Sequence, residues 1–462
     1  MNLRDLRHLC VRELENVRSS EEVMEAKLNE KEYLKSLSLG WSRDRSSCVE
    51  TDEQLLDNLC PHINLKRLRI QNYKVKHICC SFYGSSGVCA FPSLKQLFLL
   101  YMPNLEEWIG VDDGCMFPLL HSLEIIGCPN LRGIPTLPRN LRRMKISDVG
   151  LTALSTINQD CGNNNQQEHF KALATLTIKQ CEKLEYLPTE FFRKFNPLKF
   201  LCIEKCPKLT KRGISDIQLP SILSQLTIGS CGDLEVPLLW SADLASLTCL
   251  DLLDCARIAS LPPAQVCAGW TMLSSLEIKN CKELSSFGGI QALVSLRSLE
   301  IEGCDKLIEV SLRQPPFPNN VSQKNALDCF LKLGRLSIDH HALLLMEPLR
   351  SLSSISRMTL LGASQLTSLP EEWLVQNHSA LYFLSIKNAC SLQSLPQSMT
   401  KLCFLMRLLV YNANLIQSLP DLPASLRTLC ITGCHPVLKE RCQENIGLDW
   451  PKIADIPDLT IF

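Results

Sequence analysis

The unit LxxLxLxxC recurs along the chain, and no other feature restricts its fold as much. Clear copies read LHSLEIIGCPNLRGIP from Leu120, LATLTIKQCEKLEYLP from Leu173, LTCLDLLDCARIASLP from Leu247 and LSSLEIKNCKELSSF from Leu273. Aligned on the opening residue, seventeen units begin at Leu6, Leu34, Leu65, Leu94, Leu120, Leu141, Leu173, Leu198, Leu223, Leu247, Leu273, Leu296, Leu333, Ile355, Leu381, Leu405 and Leu426. The stretch LxxLxL holds a period-two run, which predicts a short strand with alternate residues buried. One such coil cannot bury its leucines alone, so stability comes from stacking on neighbours. The predicted fold is an α/β repeat. It is a curved solenoid with a parallel β-sheet on the concave face and irregular or short helical returns on the convex face. Leu-Pro pairs (Leu187-Pro188, Leu261-Pro262, Leu369-Pro370, Leu395-Pro396) fall on the returns, where proline disfavours a long helix.

This is the leucine-rich repeat pattern, and it predicts a single domain over 1–462 of about 17 coils. Polar stretches near 42–53, 156–169 and 313–324 read as surface loops, and about 433–462 as a C-terminal cap. Aromatic residues are only 6% of the chain, so the core must be aliphatic. Lys+Arg and Asp+Glu number 48 each, and zero net charge argues against a nucleic-acid or anionic-membrane partner. The start, MNLRDLRHLCVRELENV, lacks the apolar run of a signal peptide. The longest apolar stretches, such as Leu97 to Met102, are too short to span a bilayer. The expected location is therefore cytoplasmic, with no membrane span.

The chain has 24 cysteines, and their spacing follows the repeat. Eight stand at the ninth position of a unit: Cys128, Cys181, Cys206, Cys231, Cys255, Cys281, Cys304 and Cys434. The chain bends inward there, and a thiol packs as a small hydrophobe, so these read as a ladder of buried free cysteines. A second group, Cys60, His62, His77, Cys79, Cys80 and Cys89, has the ligand chemistry of zinc but lacks a paired CxxC or a finger spacing. His341 takes the ninth position after LGRLSI and reads as a coil residue replacing cysteine. The other histidines accompany no nucleophile motif, and Asn320 and Asn377 open chance glycosylation sequons. The expectation is no catalytic site, no metal and no cofactor.

The binding face follows from phase. Residues between and beside the strand leucines point off the core, onto the concave sheet. Arg67, Arg69, Arg143 and Lys145 make its early part basic, and Glu277, Glu300 and Glu302 make its middle acidic. Phe98, Phe200, Phe383 and Tyr411, with Leu100, Leu253 and Leu409, put apolar groups at the same phase. Exposed aromatics beside charges are what an interface hot spot uses.

Several segments carry a more specific resemblance. LCVRELENVRSSEEVMEAKLNEKEYLKSLSLGWS near the start, FPSLKQLFLLYMPNLEEW from Phe91 to Trp108, and GCHPVLKERCQENIGLDWPKIADIP from Gly433 to Pro457 resemble the repeat domain of plant intracellular immune receptors. These are the coiled-coil, nucleotide-binding, leucine-rich repeat disease resistance proteins. The resemblance implies defence-related recognition of a pathogen effector or a guarded host protein. It also implies packing on a nucleotide-binding domain, in cis or in trans. No GxxxxGK[ST] loop is present, so nucleotide binding is not carried over. LKRLRIQNY, from Leu65 to Tyr73, runs directly into KVKHICCSFYG, where the family continues with further coils. This points to an internal deletion near 73–84, a mis-spliced gene model or a degenerate allele. The favoured function is a protein-recognition module. The alternatives are a substrate adaptor of a ubiquitin ligase, which needs an F-box-like N-terminal segment, and a non-functional receptor fragment.

Overall fold

The computed structural model describes residues 5–17, 19–43, 61–78, 91–109, 117–135, 137–138, 140–154, 172–187, 197–209, 219–240, 244–314 and 331–462. Polar stretch 156–169, most of 42–53 and most of 313–324 lie outside these residues, as do Cys60, Cys79, Cys80, Cys89 and Asn320. The chain forms two compact units, Met1–Leu244 and Ala245–Phe462, where the sequence suggests one domain. Each coil of a solenoid touches only its neighbours, so its contacts divide readily into blocks.

In the first unit the main strands are β1 (His8–Val11), β2 (Ser36–Gly40), β3 (Arg67–Gln71), β5 (Gln96–Leu100), β7 (Ser122–Cys128), β8 (Arg143–Val149), β9 (Thr175–Lys179), β10 (Phe200–Glu204) and β11 (Gln225–Gly229). Each pairs in parallel with the next. Two short strands on the returns, β4 (His77–Ile78) and β6 (Glu107–Trp108), form a separate parallel pair. The second unit repeats the plan with β12 (Cys249–Leu253), β13 (Ser275–Lys279), β14 (Ser298–Glu302), β15 (Arg335–Ile338), β16 (Arg357–Leu360), β17 (Phe383–Ile386), β18 (Arg407–Tyr411), β19 (Thr428–Thr432) and β20 (Asp458–Ile461). These also pair serially in parallel. Both units are therefore leucine-rich repeat solenoids. Among the described residues no helix exceeds eight residues, the length of Asp305–Leu312, and none is long and apolar enough to cross a membrane.

The register explains the core. Leu37, Leu68, Leu97, Leu123, Met144 and Leu176 align on successive strands, and none is more than 2% exposed. Each such leucine buried contributes roughly 1.5–3 kcal/mol. Strand β3 pairs with β5 over five residues, and Tyr73, Val75 and Ile78 of the following return are buried. The segment entering the expected deletion is thus a packed return, and 79–90 lies outside the described residues. Segment 1–33 contributes β1 and a six-residue helix, Ser20–Glu25, capped by the Ser19 hydroxyl, which is a strand and its return. Strand β20 lies inside the expected cap, and the sequence reading does not contain it. Its signal is IPDLTI, from Ile456 to Ile461, which is the strand pattern with isoleucine in the opening place.

The cysteine ladder is built as the spacing requires at seven coils. Cys128, Cys181, Cys206, Cys231, Cys255, Cys281 and Cys304 are all at most 1% exposed. Each thiol donates to the carbonyl two residues back, as from Cys181 to Lys179 (3.4 Å) and from Cys231 to Gly229 (3.3 Å). Burial pushes the thiols of Cys128, Cys231 and Cys304 up to about 12. The hydrogen bond between the adjacent Cys181 and Cys206 thiols, and then burial, push Cys206 well up, while the same bond holds Cys181 below the usual thiol range. Two ninth-position readings need correction. Cys434 is only half-buried. At His341 the ring stays half-exposed and the fully buried place goes to Ala342, whose N–H is capped by Nδ1 of His340 at 3.1 Å. N-Ethylmaleimide should therefore label Cys10, Cys390 and Cys403, which are exposed, in the native chain. It should leave the seven ladder thiols untouched until denaturant is added, because their burial keeps the reagent out of reach. Peptide mass spectrometry checks this, and native labelling at Cys231 or Cys281 would contradict the ladder.

Candidate protein-binding face

Within each unit the first, third and fifth residues of each strand form three outward columns, and these position the candidate residues. Arg67, Arg143, Phe200 and Phe383 stand in the first column. Arg69, Phe98, Lys145, Glu277 and Glu300 stand in the third, and Glu302 and Tyr411 in the fifth. All therefore sit on the sheet face opposite the leucines, the expected consequence of a period-two side-chain pattern. Their exposure varies more than phase alone implies. Phe200 is 39% exposed, and Phe383 and Tyr411 are half-buried.

Phe98 departs from the expected exposed aromatic, being only 9% accessible. The Arg67 guanidinium lies 4.7 Å from its ring centroid and that of Arg69 5.9 Å. A guanidinium is weakly hydrated and prefers an aromatic face to bare water, so the arginines roof the ring. Phe98 therefore supports two arginines. Leu100, at 3%, is also covered. The surface that a partner would meet here is cationic and flat.

The acidic middle is a mixed cluster. Lys279 Nζ lies 2.8 Å from Glu277 and 2.7 Å from Glu300, and both carboxylates hold its ammonium firmly protonated. Glu302 is one column away. In the first unit Lys179 pairs with Glu204 at 2.8 Å, and Glu204 also accepts from the Cys202 thiol at 3.0 Å. Burial, then the Glu204 carboxylate, pushes Cys202 up to about 12, so this outward thiol is a donor and not a nucleophile. Among the described residues no group of three or more His, Cys, Asp and Glu could hold a metal ion.

Two features of this face escaped the sequence reading. The first column of the second unit carries Arg335, Arg357 and Arg407 around Phe383, and the phase rule that selected Phe383 also selects them. The second is the turn that ends each strand. Its eighth-position residue is left-handed at Asn72, Gly127, Asp148, Asp254, Asn280, Gly303, Asn388, Asn412 and Gly433, and also at Tyr101, Gln180, Lys205 and Ser230, with φ between 49° and 70°. The signal was the frequent Asn, Asp and Gly at one repeat position, the residue types that tolerate positive φ, and the repeat imposes the same turn on the other four. The turn aims its N–H at the next coil, as from Asn280 to the Glu302 carbonyl at 2.7 Å. Asn72 also donates its side-chain amide to the Trp41 carbonyl at 2.8 Å.

With this geometry in hand, the likenesses to known proteins are informative. Residues 1–128 match the family model of R13L1/DRL21 leucine-rich repeats. An RPP13-like disease resistance protein of Arabidopsis thaliana is 23% identical over 297 residues, 49% of this chain and 27% of its own length. Disease resistance protein RGA2 of Solanum bulbocastanum is 26% identical over 234 residues, 38% of this chain and 23% of its own. The matches thus span about a quarter of these relatives. A leucine-rich repeat protein of Leptospira interrogans superposes with a TM-score of 0.50 over 100% of this chain and 97% of that one, at 19% identity, and shares the fold. By fold the chain is a leucine-rich repeat region, and in sequence it is similar to the repeats of plant disease resistance proteins.

Proposed function

We propose that this chain is a protein-recognition module of plant innate immunity. It acts in the cytoplasm and holds a pathogen effector or a guarded host protein on the open face of its sheet. The observation that carries this reading is the ordered row of outward side chains. Strands in register place Arg67, Arg69, Arg143 and Lys145 on the sheet face opposite the buried leucines. A sheet of this kind offers an extended surface to a macromolecule and no enclosed site for a small substrate. The nucleotide-binding domain that accompanies such repeats in the family is a second candidate partner, in cis or in trans.

The test is a binary interaction screen against pathogen effectors and host proteins, followed by charge reversal. R67E, R69E, R143E and K145E together should weaken a bound partner at least tenfold while circular dichroism and melting stay near the parent values. A control reversal on a return, such as K282E with E283K, should leave binding intact. Loss of binding in the control alone would place the interface on the returns and overturn the reading.

A further inference from the structure

We propose that the second unit carries a distinct subsite for an extended acidic segment of a partner protein, centred on Phe383. Arg335, Arg357, Phe383 and Arg407 occupy one outward column on four consecutive strands. Arg357 lies 5.0 Å from the Phe383 centroid and 5.4 Å from that of Tyr382, and Arg407 lies 5.9 Å from Phe383. The aromatic rings therefore hold two guanidiniums side by side. Stacking uses the face of a guanidinium and leaves its edge N–H donors free for a carboxylate.

The arginines are also uncommitted. Among the described residues none of the three forms an ion pair, although Lys279, Lys179 and Arg441 on other strands and in the cap all do. The neighbouring outward column offers Ser337, Thr359 and Ser385, which are small and neutral, so no carboxylate interrupts the row. Acidic residues bound it instead. Glu300, paired with Lys279, stands on β14 in the neighbouring column at one end, and Asp458 stands on β20 beyond Thr428 at the other. A cationic strip of four strands with acidic ends selects a short ligand and opposes a long polyanion.

Spacing sets the ligand's pattern. Strands lie about 4.8 Å apart, so Arg335 and Arg407 are separated by roughly 14 Å. An extended peptide rises about 3.4 Å per residue and presents alternate residues to one face. A carboxylate between Arg335 and Arg357, an apolar residue over Phe383 and a second carboxylate at Arg407 then fall on positions i, i+2 and i+4. The predicted motif is acidic-x-apolar-x-acidic. The inference rests on the reading that the open face binds protein, and it deepens that reading by naming the chemistry of the partner.

The experiment uses the full chain and a fluorescein-labelled peptide, Ser-Asp-Ser-Leu-Ser-Glu-Ser, read by anisotropy at low salt. Saturable binding is expected, and R335E, R357E and R407E should each weaken it at least tenfold. Replacing both peptide acids by lysine should abolish it, and the return variant K282E with E283K should not change it. No saturable binding, or binding unmoved in the triple reversal, would overturn the subsite. Tighter binding of a single-stranded oligonucleotide of matched charge would also overturn it, in favour of a general polyanion surface. If the subsite fails while the Arg67, Arg69, Arg143 and Lys145 reversals still release a protein partner, the broader reading stands alone.

Discussion

Replacing Asp449 by alanine is expected to destabilise the end of the second unit by about 3–5 kcal/mol, the usual cost of removing one partner from a buried charge cluster. Asp449 is fully buried in the cap. Its carboxylate accepts two bonds from Arg441, at 2.8 and 3.1 Å, one from Lys452 at 2.9 Å and one from the Leu419 backbone N–H at 3.1 Å. The Leu419 bond reaches across from the coil of β18, while Arg441 and Lys452 belong to the cap. The carboxylate thus pins cap to coil. Alanine leaves the Leu419 N–H unpaired and two cations facing each other. Because terminal coils can open without the rest, the readout is hydrogen exchange in peptides from β18, β19 and β20. These should lose protection while β13 and β14 keep theirs. Unchanged exchange at Leu419 would refute the assignment.

The same carboxylate makes a pH dependence with a definite sign. Hydrogen bonds from Arg441 and Lys452 outweigh the effect of burial and hold Asp449 below the usual aspartate range. The unfolded chain therefore takes up the proton first as pH falls. The cap's stabilisation is complete above the ordinary aspartate pKa of about 3.9 and is lost as pH drops through the lower folded value. Asp449→Asn should remove that dependence as well as part of the stability.

The strands were legible because their signal is local and repeated. Leucine at two phases fixes both the strand and the face it buries, so Arg67 or Glu300 could be placed outward before any coordinate was known. Cys281 was legible for the same reason. What was not legible depends on a second coil. Phe98 shares the phase of exposed residues, and only the arginines of the preceding strand bury it. His341 satisfies the count to nine, but one additional residue in the turn gives the inward place to Ala342. Lys279 reads as one more surface charge until the register sets Glu277 beside Glu300. The Arg335, Arg357 and Arg407 column is a different case. It was present in the sequence at the right phase and went unremarked because each arginine is unexceptional alone. Parallel register turns three scattered residues into one row.

Asn377, which opens a chance glycosylation sequon in the sequence, is fully buried and ties two returns together. Its side-chain oxygen accepts from the Ile355 N–H at 3.0 Å, and its amide donates to the Leu352 carbonyl at 2.9 Å and the Trp373 carbonyl at 3.0 Å. Trp373 reinforces the same junction by donating from its indole to the Leu349 carbonyl at 3.1 Å. The Ile355 N–H and the Leu352 carbonyl end one coil's return where it enters β16, so they have no ladder partner of their own. Asn377→Ala strands the Ile355 N–H in the interior, which should cost about 1–3 kcal/mol, while the Leu352 carbonyl keeps its bond from the Gln376 amide at 3.1 Å. Asn377→Asp should be worse at neutral pH, because a carboxylate cannot donate to either carbonyl and its charge is buried. Burial raises that aspartate's folded pKa above its unfolded value, so the variant should regain stability as pH falls towards the ordinary aspartate range. Asn377→Asp more stable than Asn377→Ala at pH 7, by urea unfolding of the full chain, would contradict the donor roles assigned to this amide.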